Sequence, residues 1–208
     1  MNKLSSHAKT LRMVEIALLT ALMLLLQLAF GSLRIGPVTL SFVLVPLVIA
    51  SVFISPSAGL LIGTISGIVT FIQVLTSGDV FYTFLIATNP VATAFICVVK
   101  TALAGLLSGV VYKGVCKVSK YRSLNVILPA IICPVVNTGI FCLGMLAFFG
   151  NALQGDPTFG AAASAGLISF VFIGLAGINF IYELISNVVI CPIISKALYS
   201  TKLFKVER

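Results

Sequence analysis

The chain is a succession of apolar runs, each near the length of a membrane crossing, divided by short stretches that hold most of its charge. About 20 consecutive apolar residues cover a ~30 Å hydrocarbon layer as a helix, the one open-chain structure that satisfies its own backbone there. Of the 208 residues, 60% are hydrophobic and 9% charged, with a mean hydropathy of +1.20. A soluble core cannot absorb that much apolar surface. The expectation is an all-α integral membrane protein, with residues 1–208 forming a single domain of six transmembrane helices and both termini cytoplasmic. The spans are expected at Met13 to Gly31, Val38 to Ile54, Ser57 to Thr76, Val91 to Tyr112, Leu124 to Phe149 and Leu167 to Leu198. The first run follows basic residues as a secretory signal does, but its length and the absence of a clear small-residue cleavage site favour a retained span. Phe159 to Ser169 reads as an outer loop or a tilted lead-in, and Asp79 to Asn89 as an outer loop packed on the bundle.

The charge pattern tests this division independently, because short cytoplasmic loops accumulate Lys and Arg. Lys3, Lys9 and Arg12 precede the first span, Lys113, Lys117, Lys120 and Arg122 connect the fourth to the fifth, and Lys196, Lys202, Lys205 and Arg208 close the chain. Six spans with the amino terminus inside put all of these on the cytoplasmic side; five or seven would not. Of the 13 basic residues only Arg34, in the first outer connection, and Lys100, within a span, remain. A net charge of +8 distributed between apolar runs does not describe a nucleic-acid face. Gly59, Gly63 and Gly67 on the third span and Gly105 and Gly109 on the fourth recur every four residues, a spacing that brings helix backbones together.

Ionisable residues cost about 2.5–3.5 kcal/mol each within hydrocarbon, so those present face a cavity or a partner. Lys100 and Glu183 are the clear cases. At ~1.5 Å per residue, Lys100 sits about 14 Å below the outer end of its span and Asn137 about 20 Å above the inner end of the fifth, nearly the same depth. Asn179, Glu183 and Asn187 share one face of the sixth. Lys100, Asn137, Thr138, Asn179 and Glu183 then form either a polar pocket for a small solute or a buried Lys100–Glu183 ion pair with the amides as interhelical glue, and both can hold together. Pro129 and Pro134 loosen the backbone near Asn137. Arg34 either clamps an anionic group of an entering ligand or meets lipid headgroups. Gln27, Gln73, Tyr82 and Asn89, near the outer ends of spans, are weaker candidates of the same kind, and Asp156 reads as solvated loop.

Catalytic sets are missing: there are no paired carboxylates, no Ser/His/Asp arrangement and no His cluster at interface depth, so no enzyme is expected. Cys97, Cys116, Cys133, Cys142 and Cys191 are dispersed without metal-ligand spacing and His7 is alone, so neither a metal nor another cofactor is expected. Without a phosphate-binding loop the chain cannot couple ATP by itself. One intramembrane acid and no detectable repeat argue against a self-powered carrier.

The residues resemble the substrate-specific S component of an energy-coupling-factor (ECF) vitamin transporter. LRIGPVTLSFVLVPLVIASVFISPSAGLLIGTISGIV, Leu33 to Val69, is similar to that family's first outer loop and second and third spans. NPVATAFICVVKTALAGLLSGVVYK, Asn89 to Lys113, is similar to its fourth span, and VNTGIF with NFIYELISNVVICPIISKAL to its fifth and sixth. Their order, in about 200 residues, is more specific than any one of them. The resemblance implies a multi-pass protein of the bacterial cytoplasmic membrane. It would bind a vitamin near the outer face with the first outer loop and the last three spans. It also implies a transmembrane coupling (T) subunit carrying two ATPase subunits, docked through a small-residue face that Ala17, Thr20 and Ala21 reproduce, with the loaded subunit toppling in the bilayer. IGPVTLSF and VNTGIF look most like pantothenate-type members, and Arg34 or Lys100 suits a carboxylate. Folate, riboflavin, thiamin precursors and deazapurine precursors stay open, and the absence of Trp, with five Tyr, disfavours large flat rings. Other classes compete: a structural or assembly subunit with a closed Lys100–Glu183 pair, a stand-alone carrier active without an ATPase, and a membrane enzyme.

Overall fold

The computed structural model of the protein describes residues 2–30, 34–35, 38–39, 42–118 and 124–201. In chain order the elements are α1 (Asn2–Phe30), β1 (Arg34–Ile35), β2 (Val38–Thr39), α2 (Leu44–Phe53), α3 (Pro56–Thr76), α4 (Val80–Thr88), α5 (Pro90–Val118), α6 (Ile127–Gly155), α7 (Gly160–Ala165), α8 (Leu167–Ser169) and α9 (Gly177–Thr201). A 3₁₀ turn, Leu124–Val126, leads into α6, and a π-helical segment, Phe170–Leu175, leads toward α9. Among the described residues five helices are long and apolar enough to cross a membrane: α1, α3, α5, α6 and α9. Their outward faces carry exposed apolar residues such as Leu25, Ile68, Phe95, Leu143 and Ile185, as lipid contact requires.

Helix starts follow local chemistry. The Ser55 hydroxyl accepts from the Ala58 amide at 3.1 Å, with Pro56 opening α3 where no amide hydrogen is needed. Asp79 Oδ1 accepts from the Phe81 and Tyr82 amides at 2.9 and 3.2 Å and starts α4, after a turn in which Gly78 has φ +61°. Asn89 Oδ1 accepts from the Ala92 amide at 3.0 Å at the head of α5.

Two expected spans need correction. Val38 to Ile54 is not one crossing helix. Val38 and Thr39 pair antiparallel with Ile35 and Arg34, and the helix that follows, α2, has only 10 residues, about 15 Å. Every one of those residues is buried. A helix apolar all round belongs either in lipid or inside protein, and sequence alone does not separate the two. Leu167 to Leu198 is also interrupted: α8 and the π segment precede Ala176, and the long helix starts at Gly177. Asp79 to Asn89, expected as a loop, holds the nine-residue helix α4.

The glycine spacing corresponds to the closest packing in the bundle, between α3 and α5. A Cβ on Gly59 would come within 2.6 Å of the Gly105 carbonyl oxygen, and one on Gly109 within 2.7 Å of Pro56 Cα. Hydroxyls stitch the seam, with Thr101 Oγ1 donating to the Gly63 carbonyl at 2.7 Å and Ser51 Oγ to that of Gly105 at 2.8 Å. Two apolar cores result, one around α2 and one around Met145, Phe149 and Leu153. Lys100 falls between Ile96 and Ala104, Asn137 between Cys142 and Cys133, and Glu183 between Ala176 and Cys191, each pair split between the two cores. A polar layer therefore separates them. Because backbone cannot yield as a flexible side chain does, Gly105→Val is expected to cost about 3 kcal/mol or more, read as a lowered thermal midpoint in detergent and loss of monodisperse protein. Gly114→Ala, with open space at its Cβ, is expected to stay near wild type.

Candidate functional site

A cavity of about 380 Å³ opens beside the polar layer. Residues from α3 to α6 and the segment leading into α9 line it, together with Thr158 and Phe159. Its roof is α4, tied to α5 by the Thr93 hydroxyl, which donates to the Leu85 carbonyl at 3.1 Å. Over that roof, Phe81 and Phe159 meet edge to face with centroids 5.8 Å apart, and Phe84 meets Phe159 at 5.6 Å. One wall is the irregular stretch Gly174, Leu175, Ala176 at the end of the π segment. Non-helical backbone at membrane depth is tolerated where it is enclosed by protein or lines a cavity.

The expected polar residues divide into groups. Tyr82, Lys100, Asn137, Thr138 and Asn179 all line this one cavity. Glu183 lies outside the lining, 3% exposed, and each carboxylate oxygen takes one amide: Asn179 Nδ2 donates to Oε1 at 3.1 Å and Asn137 Nδ2 to Oε2 at 3.3 Å. Asn187 Nδ2 donates to the Glu183 carbonyl at 2.7 Å, which fastens the same face of α9.

Lys100 and Glu183 are not an ion pair: no N–O contact within 4.0 Å joins them. The two amides occupy the carboxylate oxygens. The Lys100 ammonium instead sits 5.3 Å from the centroid of Phe141, a cation–π contact, and makes no hydrogen bond among the described residues. Asn89 stands apart from the cavity lining, its side chain engaged as the α5 cap. Arg34 is placed only as a β1 residue opposite Thr39, its side chain lying outside the described part. Gln27 and Gln73 join α1 to α3: Gln27 Nε2 donates to Thr70 Oγ1 at 2.9 Å and to Gln73 Oε1 at 3.2 Å, and of these three only Thr70 reaches the cavity.

A family model described as the substrate-specific component of the ECF transporter matches residues 11–195. The chain belongs to that family. No curated protein matches it. As an ECF substrate-specific component it is a multi-pass membrane protein of a transport system, and membership implies a small-molecule substrate and a T and ATPase module in general.

Sequence reasoning about this ECF component missed much of the cavity wall. Asp79 lines it, although it read as loop, and so does Thr70. The wall also carries five aromatic rings, those of Phe81, Tyr82, Phe141, Phe149 and Phe159. An argument from Trp and Tyr could not register them, while the 15 Phe residues could have. Removing one amide from a buried carboxylate costs about 1.5–3 kcal/mol, so Asn137→Ala is expected to lower the detergent melting midpoint clearly. Lys100→Ala loses only a partly exposed ring contact, about 0.5–1 kcal/mol, and the contrast is read by melting both variants without ligand.

Proposed function

We propose that this ECF component captures a small, carboxylate-bearing nutrient, with pantothenate the best match, in the cavity under α4. The observation that carries the reading is Lys100, a cation inside the cavity that forms no ion pair with a carboxylate among the described residues. A charge in that position gains most from an anionic ligand, because attraction across an enclosed site is poorly screened. The volume favours a compact solute, being near the low end of the ~300–1,000 Å³ typical of ligand pockets. Tyr82, Thr138, Asn137 and Asn179 offer hydrogen bonds around it, and Arg34, in the connection before α2, is assigned to the same ligand. Phenylalanine rings supply apolar surface for a branched aliphatic portion. Asn89 and Glu183 act on this reading as supports for α5 and for the two amides.

The distribution of Lys and Arg supports an outward-facing cavity in the bacterial cytoplasmic membrane, with both termini inside and α2 as a shortened second crossing enclosed by its neighbours. Uptake then draws on a transmembrane T subunit and two ATPase subunits. Docking is assigned to α1, where Ala17 and Ala21 are exposed and Thr20 Oγ1 donates back to the Ile16 carbonyl at 2.7 Å, leaving a small, apolar stripe.

Calorimetry of purified protein with a vitamin panel tests the assignment. Pantothenate is expected to bind, and Lys100→Ala to weaken it by about tenfold or more, equivalent to about 1.4 kcal/mol, with little effect on the neutral alcohol panthenol. No binding of pantothenate, or equal loss for acid and alcohol, would count against the reading. With the coupling module reconstituted in liposomes, Ala17→Leu with Ala21→Leu is expected to reduce ATP-dependent uptake about tenfold or more, since bulk at a small-residue face prevents close helix approach. Undiminished uptake would remove α1 from docking.

A further inference from the structure

Two residues of the cavity lining each carry an acceptor that the described residues leave unused. Asn137 Oδ1 and Asn179 Oδ1 are buried from water and accept no hydrogen bond, although both residues line the cavity. Asn137 as a whole is only 5% exposed. Roughly 90% or more of buried polar groups in native proteins are paired, so two orphans on one cavity point to a missing donor.

Their orientation has an identifiable cause. An asparagine amide can present either its NH₂ group or its carbonyl oxygen, but an ionised carboxylate only accepts. Glu183 meets one amide nitrogen with each oxygen, from Asn137 on α6 and from Asn179 on α9. With both nitrogens committed, both carbonyl oxygens are left for another group. Lys100 is not placed to use them, since it makes no hydrogen bond among the described residues.

We infer that Glu183 is a positioning residue that sets the hydrogen-bond polarity of the cavity, holding the Asn137 and Asn179 oxygens ready for a ligand that brings at least two hydroxyl or amide N–H donors beside its anionic group. This deepens the reading of Lys100 as the anion site and rests on it. Glu183 need not touch the ligand; it acts through the two amides.

The test uses the full chain in detergent and two probes, pantothenate and N-(3,3-dimethylbutanoyl)-β-alanine, which keeps the carboxylate and amide but lacks both hydroxyls. Wild type is expected to prefer pantothenate by roughly 30-fold or more, because a site built for at least two donors disfavours an analogue left with its amide N–H alone. Glu183→Gln is isosteric and brings its own NH₂, so one asparagine amide is free to turn over. Pantothenate affinity should then fall about tenfold or more while the analogue stays within about threefold, a collapse of discrimination. An equal loss for both probes would mean a purely structural Glu183 and overturn the inference. If Glu183→Gln does not fold, Asn179→Ala is expected to give the same collapse, and unchanged discrimination there also overturns it. Should wild type bind both probes about equally, the donor requirement fails while the acid-binding reading stands. Should it bind neither, the pantothenate assignment fails, and mass spectrometry of the solute retained on purification decides. A carboxylate with two or more hydroxyl or N–H donors supports the inference, and one without such donors, or no retained solute at all, overturns it.

Discussion

The backbones of α3 and α5 touch where Gly59, Gly63 and Gly67 meet Gly105, Thr101 and Val98, and no side chain larger than hydrogen fits between them. This approach determines what α5 can do with the rest of its surface. Thr101 faces the seam and donates to the Gly63 carbonyl, and one residue earlier in a helix lies about 100° away around the axis. Lys100 is thereby turned off the seam toward Phe141 on α6. A looser α3–α5 contact would leave that direction undetermined. The glycines, silent as chemistry, are what aim the ammonium.

Within the polar layer, charge separation matters more than charge number. Oppositely charged side chains inside a bilayer are expected to find each other, because isolation is costly. Here the carboxylate is satisfied by two amides and the ammonium by a ring, and among the described residues the cation's donors are unspent. A paired Lys100 and Glu183 would have closed the layer and suited an assembly subunit. Their separation is what suits a binding subunit, and it leaves the ammonium in the lining of the cavity.

Legibility varied with how local the deciding physics was. Long apolar helices and the glycine seam follow from residues close in sequence, and each is readable from the chain. Lys100, Asn137 and Asn179 converge because helical rise places them at similar depths, which counting residues anticipates. The short α2 was not readable, since ten residues buried on every side look the same as part of a span. Asn89 read as a ligand candidate and is a cap, because a side chain at a helix start is claimed by the nearest free backbone amide. The phenylalanine walls went unnoticed for a different reason: apolar rings carry no polarity signal, and only assembly shows which of them enclose space.

The sequence by itself determined that this chain belongs in a membrane and which costly polar groups go in with its helices. Those are consequences of transfer free energy and of the helix repeat, both local properties. Only the tertiary structure decided which polar group meets which. The distance from an amide on α6 to a carboxylate on α9, and the space left over beside them, depend on how neighbouring helices pack, and no single segment encodes that.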